Sequence, residues 1–273
     1  MSDLSPADFA LYRDLLLRHS GLDLKENQAY LLLSRLTPLA KRMGFAEGLP
    51  ALTAAVRTGN KSTVPAIVEA MTTNETSFFR DTKPFLALTE LLPSLLSNRA
   101  EGKALRIWSA ACSTGQEAYS IAMTLDEALA AKPGWRYEIL GTDIADEVLE
   151  RARLATYSQF EVQRGLTFQR IMKYFEQDGT SWRLKANLRT PCTFKKANLL
   201  EGVTHLGTFD IIFCRNVLIY FNADTKAQVL AKLASRLSPD GILFLGAAEA
   251  VMGYSNAFTA VEGRHGVLRL KKP

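Results

Sequence analysis

From Leu105 onward the sequence repeats one unit: a short apolar run of strand length, a turn of small and polar residues, then a helical segment. The runs are LRIWSA, YEILGTD, FDIIFCRN and GILFLGA. Continuous rather than alternating apolar runs mean strands buried on both faces. The pattern therefore predicts an α/β domain with a parallel, doubly wound sheet and helices on either side, over roughly residues 100 to 273. GVLRLK, near the end, reads as an edge strand.

Ahead of this domain nothing reads as a strand. Ser5-Pro6 opens a helix at the favoured cap and first-turn positions, with Phe9, Tyr12, Leu15 and Leu16 on one face. A second helix is expected from about Lys25 to Met43 and a third over Val64 to Met71. Pro38 falls inside the second and predicts a kink or a break there. The chain thus divides into an all-helical N-terminal domain, residues 1–80, and a larger domain, residues 81–273. Within the larger one, the polar stretch at about 155–195 suspends the alternation, and Asp178-Gly179 followed by WRLK predicts a small inserted hairpin.

Composition narrows the class. Hydrophobic residues make up 47% of the 273 and charged residues 22%, enough for a large core on a soluble chain. No signal-like or membrane-spanning run is present, so a cytoplasmic location is expected. Cys112, Cys192, Cys214, His19, His205 and His265 lack metal-ligand spacing, which argues against zinc or a disulfide framework and for packing thiols. The net charge of +5 favours an acidic partner without choosing one.

In an open parallel sheet, ligands sit outside the carboxyl ends of the strands, so the residues just after each strand carry the information. After the first strand, Ser113, Thr114 and Gly115 form a tight turn before Gln116 and Glu117. The turn is not GxGxxG, which disfavours a nicotinamide dehydrogenase. After the second, Asp143 stands where a carboxylate can accept ribose hydroxyls or cap the next helix. After the third come Arg215, Asn216 and Tyr220. A further polar patch, MTTNETSFFRDTKPF, precedes the sheet, where Asn74, Thr76 and Arg80 alternate with Phe78 and Phe79; its spacing alone justifies no more than a linker with a helix cap.

Taken together, TNETSFFRD, WSAACSTGQEAYSIA, GTDI with LERAR, and CRNVLIYF resemble the chemotaxis receptor glutamate methyltransferases, the CheR family, in order and spacing over nearly the whole chain. The resemblance implies a class I S-adenosylmethionine-dependent methyltransferase domain bearing a small β-subdomain. It implies a cofactor shell of Asn74, Thr76, Arg80, Glu117, Asp143, Asn198, Leu199, Arg215 and Asn216. It further implies transfer of a methyl group to receptor glutamate carboxylates, with S-adenosylhomocysteine as the product. Arg80 and Tyr220 are the candidate catalytic residues, and no metal is expected. Where the family usually reads EPYS this chain has Ala118, a change that a helix's first turn tolerates. Basic N-terminal helices in the family meet the receptor methylation helices, which points to Arg35, Lys41 and Arg42. The hairpin EQDGTSWRLK lacks the longer glycine-containing loop of members that bind a C-terminal pentapeptide tether, so receptors without that tether are expected. A nucleic-acid methyltransferase is disfavoured by CRNVLIY standing where an Asn/Asp-Pro-Pro-aromatic motif is usual. A non-catalytic cofactor-binding regulator is disfavoured by retention of Arg80 and Tyr220.

Overall fold

A computed structural model describes residues 4–97, 99, 104–132 and 134–271; the limits at 100 and 273 read for the doubly wound domain fall outside them. The chain forms two compact units, one up to Thr73 together with Tyr220–Lys226, the other from Asn74 to Ile219 and from Ala227 onward.

The first unit is built on four helices: α1 (Pro6–Ser20), α2 (Ala29–Arg42), α3 (Leu49–Arg57) and α4 (Thr63–Met71). Ser5 caps α1 by accepting the Asp8 N–H, and Gly21 ends it in the left-handed conformation. Pro38 lies inside α2 without ending it. Of the kink or break expected there, the break does not occur: the face formed by Leu32, Leu36, Leu39 and Ala40 is buried, and that burial offsets the lost backbone hydrogen bond, of order 3 kcal/mol. The residues before α2 form a separate 3-10 turn, Glu26–Gln28. Tyr220–Lys226 joins this unit through a bridge between Leu22 and Phe221 and through the Asp23 N–H, which donates to the Tyr220 carbonyl at 3.0 Å.

The second unit opens with α5 (Lys83–Ser97), then alternates β1 (Ala104–Ala110), α6 (Gln116–Leu129), β2 (Arg136–Asp143) and α7 (Asp146–Leu154). There follow β3 (Thr156–Ser158), α8 (Gln159–Gln163), α9 (Phe168–Tyr174), β4 (Phe175–Asp178), β5 (Ser181–Leu184), α10 (Ala186–Arg189) and β6 (Cys192–Lys196). The chain closes with β7 (Phe209–Cys214), α11 (Ala223–Arg236), β8 (Leu237–Leu245), β9 (Phe258–Ala260) and β10 (Val267–Leu270).

Seven strands make one sheet in the order β6-β2-β1-β7-β8-β10-β9. The first five run parallel and β10 is antiparallel to both of its neighbours. This is the doubly wound architecture, with helices between parallel strands, that the strand pattern predicts. Leu105, Ile107, Ile139, Ile211, Phe213, Ile242 and Phe244 point to one face and pack with α5 and α6. Their neighbours Trp108, Leu140, Ile212 and Leu243 point to the other and are buried as well. GVLRLK is not the edge strand expected of it: β9 pairs outside β10, with Leu268 opposite Ala260 and Leu270 opposite Phe258. Three residues are too few to show a period in sequence. The opposite edge, β6, lies within the stretch read as an insertion yet pairs parallel with β2 from Ile139↔Cys192 to Asp143↔Lys196.

What remains of the insertion is a second sheet, β3-β5-β4, all antiparallel. Its hairpin turns at Gly179-Thr180 between paired Asp178 and Ser181, where the Asp-Gly signal lies. Tyr157, Phe175 and Leu184 form its buried side.

Candidate functional site

The ends of four strands, the first turn of α6 and one preceding arm supply the candidate polar groups of the second unit. At the end of β1 the backbone turns through Ala111 (φ 62°), Ser113 (φ 50°) and Gly115 (φ 92°) before α6 starts. Gly115 holds this turn at positive φ, and a Cβ there would be a tight fit, 3.0 Å from Ala152 Cβ and 3.2 Å from the Tyr157 hydroxyl. Tyr157 fixes the same turn by donating its hydroxyl to the Thr114 carbonyl at 2.8 Å. Across the turn, Asp143 at the end of β2 accepts the Ser113 N–H at 2.9 Å and the Ala145 N–H at 3.1 Å. The carboxylate read as a ribose acceptor or a cap therefore also sets the β1 turn.

Glu117, on the first turn of α6, is largely buried; it accepts the Ser109 hydroxyl at 2.8 Å and Arg215 Nη1 at 2.9 Å. Burial pushes its carboxyl above the ordinary value, and the Arg215 guanidinium beside it pulls the other way. Arg215 follows β7, and its side chain is 1% exposed. Its Nη2 donates to the Arg80 carbonyl at 2.8 Å and to Asp81 Oδ2 at 2.7 Å, while its Nε is buried with no protein acceptor. One guanidinium thus ties the β7 end to α6 and to the arm that carries Arg80.

That arm, residues 74–82, is held from several sides. Ser113 donates its hydroxyl to the Asn74 carbonyl at 2.8 Å, and the Phe79 N–H donates to Ser120 Oγ at 2.9 Å. Phe78 is 1% exposed, edge-on to Tyr157 and Phe175 with ring centroids 5.0 and 5.6 Å away. The Arg170 guanidinium lies 3.9 Å above the Phe79 ring while pairing in bidentate fashion with Glu127. Phe79, Asp81 and Thr82 all adopt φ between 46° and 66°, a strained run for residues with side chains, and such runs concentrate at functional sites. Arg80 is half-buried and donates to the Glu75 carbonyl at 2.9 Å. Thr76, on the same arm, is half-buried too, and Asn74 is exposed.

Asn198 and Leu199 follow β6. The Asn198 side chain accepts the Leu200 N–H at 3.0 Å, and Leu199 is buried. The Lys232 ammonium donates to the carbonyls of Leu199 and Leu200, a contact absent from the sequence reading. Asn216 sits beside Arg215 at φ 60°. The sequence reading also passed over Glu249, Gly165 and the Asp81 carboxylate; only Asp81 lies in a quoted motif.

The remaining candidates belong to the first unit. Tyr220 ends a short 3-10 turn, Leu218–Tyr220, and is half-buried. On α2, Lys41 and Arg42 are exposed, whereas Arg35 is half-buried with its guanidinium donating to the carbonyls of Met71 at 2.6 Å and Thr72 at 3.0 Å. Burial pushes the thiols of Cys112, Cys192 and Cys214 upward, so none is an activated nucleophile. Among the described residues no cluster could hold a metal ion, and no helix is long and apolar enough to cross a membrane.

The donor set suits S-adenosylmethionine. It combines a turn with close backbone approach, a carboxylate after the second strand and a buried arginine nitrogen lacking an acceptor. Comparison with known proteins agrees. Residues 74–267 match the family model described as CheR methyltransferase, SAM binding domain. The chain is 39% identical over 267 residues to chemotaxis protein methyltransferase 1 of Pseudomonas aeruginosa, covering 96% of this chain and 97% of that protein. It is 40% identical over 272 residues to the chemotaxis protein methyltransferase of Vibrio parahaemolyticus, covering 98% and 97%. With that of Escherichia coli it shares 35% over 262 residues, covering 94% and 88%.

Proposed function

Because the chain belongs to the CheR methyltransferase family, we propose that it transfers the methyl group of S-adenosylmethionine to glutamate side chains of chemoreceptors, in the cytoplasm, forming methyl esters that serve chemotactic adaptation. The observation that carries the reading is the joining of Glu117, Arg215 and the Arg80 arm by one buried guanidinium.

When bound, S-adenosylmethionine supplies an electrophilic methyl group on a sulfonium centre. Glu117, Asp143, Asn198, Leu199, Arg215 and Asn216, with Asn74, Thr76 and Arg80 on the arm, are the residues proposed to hold it. The acceptor carboxylate, with a pKa of about 4.3, is already ionised at neutral pH and needs no general base. The protein's task is alignment of a carboxylate oxygen with the methyl carbon. Both charges disappear during transfer, so tight ion pairing to the acceptor would stabilise the ground state more than the transition state. Arg80 therefore acts by orienting its partners rather than by neutralising them. The hydroxyl of Tyr220 is assigned to positioning the acceptor on the resemblance alone.

Arg35, Lys41 and Arg42 are proposed to meet the acidic methylation helices of the receptor, Lys41 and Arg42 as the exposed charges and Arg35 from its place beside the end of α4. Receptors lacking a C-terminal pentapeptide tether are the proposed substrates, given the short Gly179-Thr180 hairpin. The test is transfer of labelled methyl to a receptor cytoplasmic fragment, scored as methanol released by alkali, with Arg80→Ala and Tyr220→Phe alongside. Release by the intact enzyme and its loss in the variants support the assignment. Saturable cofactor binding without release from a cognate receptor would turn the reading to a non-catalytic regulator.

A further inference from the structure

Where β7 and β8 end, one carboxylate organises both strand ends. Glu249 Oε2 accepts the N–H of Gly246 at 2.6 Å and of Asn216 at 2.9 Å. Its Oε1 accepts the N–H of Val217 at 2.9 Å and of Leu218 at 2.7 Å. The residue is 6% exposed. Three consecutive amides, 216 to 218, converge because Asn216 takes φ 60°, and without an acceptor they would be left as desolvated donors. Successive N–H groups turned to one side form an anion-binding concavity. Here the protein's own carboxylate fills it.

The neighbourhood leaves no slack. A Cβ on Gly246 would lie 2.7 Å from Glu249 Oε2, 2.9 Å from the Asn216 nitrogen and 3.0 Å from Asn216 Nδ2. The Asn216 side chain is thereby laid against the end of β8 at a spot only glycine leaves open. Arg215 and Asn216, the two residues assigned to the cofactor after β7, head the loop that Glu249 holds.

We propose that Glu249 is a positioning residue for the cofactor: its carboxylate shapes the Asn216–Leu218 loop in advance of binding, with Gly246 as the neighbour that permits it. The proposal rests on the assignment of Arg215 and Asn216 to S-adenosylmethionine. Glutamine has the size of glutamate but a single acceptor oxygen, so Glu249→Gln presents an NH₂ group to one pair of these amides. A shape-conserving substitution is therefore expected to behave almost like a deletion.

The test uses the full chain without ligand, followed by calorimetric titration with S-adenosylmethionine. In Glu249→Gln the amides of 216–218 should exchange with solvent at least about tenfold faster, and the cofactor dissociation constant should rise at least about tenfold. Asp210→Asn is the control for plain destabilisation. Asp210 is also a part-buried carboxylate on β7, but at the strand's opposite end, where it accepts the Arg106 N–H and pairs with Arg99. Its variant should lose thermal stability and keep cofactor affinity within about twofold. Unchanged exchange or affinity in Glu249→Gln, with affinity lost in Asn216→Ala, overturns the role of Glu249 alone. Equal losses in Asp210→Asn overturn it too, by showing a global effect. Affinity unchanged in both Asn216→Ala and Arg215→Ala would instead remove the assignment beneath it. Should Glu249→Gln not fold, Glu249→Asp, charged but one methylene short, is read by the same two measurements.

Discussion

Arg215 and Glu117 form a largely buried ion pair, Nη1 to Oε2 at 2.9 Å, that joins the end of β7 to the first turn of α6. Burial raises the Glu117 carboxyl above its ordinary value of 4.5, with Arg215 and Ser109 opposing the shift. A carboxyl whose folded pKa exceeds its unfolded one contributes stability that is complete below the unfolded value and is lost as pH climbs through the folded value. Cofactor binding depends on pH in the opposite sense, because only ionised Glu117 holds Arg215. Acidification from neutral pH should therefore weaken S-adenosylmethionine binding with a midpoint above 4.5, while this group makes the fold no less stable. Titration calorimetry across that range checks it. Glu117→Gln should raise the neutral-pH dissociation constant about tenfold and abolish the acid limb; a limb that survives the substitution belongs to another group.

Gly165 stands against the carbonyl of Phe78, and a Cβ there would lie 1.9 Å from that oxygen on a backbone at φ +108°. Relief would require moving the Phe78 carbonyl, two residues from Arg80, and Phe78 is itself wedged between Tyr157 and Phe175. Gly165→Ala should therefore cost about 3 kcal/mol or more in urea unfolding and lower kcat as well. Gly253→Ala isolates the backbone contribution, since Gly253 also has positive φ but nothing lies within 4 Å of its Cβ position. It should cost about 1 kcal/mol and leave kcat alone. Equal losses in the two variants would mean that the clash is relieved without disturbing the arm.

The parallel strands were legible because burial on both faces writes them as unbroken apolar runs, and their ends because small and charged residues crowd there. LRIWSA and FDIIFC fall at β1 and β7 as read. Elements that exist only by pairing were not legible. β3 and β9 have three residues each and take their conformation from partners, and β6, with Lys195 and Lys196, is polar enough to pass for a loop. Within the site, the strand-end side chains follow from position in the sheet, whereas Glu249 depends on two strand ends meeting and Gly165 on the distant Phe78 carbonyl. Proximity of that kind leaves no local period or motif. The contacts of Arg35 were hidden for the same reason: helical spacing groups it with Arg42, and nothing local shows that its guanidinium reaches the carbonyls at the end of α4.

Lys232 donates its ammonium to the carbonyls of Leu199 and Leu200, and burial lowers its pKa. It reaches from α11 to the start of the loop after β6, and Arg236, at the end of the same helix, donates to the Thr204 carbonyl further along that loop. Lys232→Met keeps the apolar stem and removes the donors, so the loop carrying Asn198 and Leu199 should loosen. The expected outcome is a three- to tenfold rise (order of magnitude) in the cofactor dissociation constant, with about 1–2 kcal/mol lost in urea unfolding. An unchanged dissociation constant would show that Asn198 and Leu199 are held by other contacts.

Arg35, Lys41 and Arg42 share α2 but differ in their surroundings. The Arg35 guanidinium satisfies the Met71 and Thr72 carbonyls at the end of α4 and lies 3.2 Å from Thr73 Oγ1. Carbonyls at a helix end have no partner within the helix and carry its negative dipole end, so Arg35→Ala should cost about 1–3 kcal/mol of stability. Lys41 and Arg42 are exposed at the C-terminal turn of α2 and are available to an acidic helix. The double substitution Lys41→Glu/Arg42→Glu should leave unfolding within about 0.5 kcal/mol of the parent. It should raise the KM for a receptor fragment about tenfold at low ionic strength and leave kcat unchanged, because rim charges act on encounter rather than on chemistry. Added salt separates the two explanations for such a rise. If these charges steer docking, the parent's KM increases with salt and the variant's does not, since screening removes only an attraction that the variant already lacks. Parallel salt curves for the two proteins would place the receptor contact on another face of the molecule.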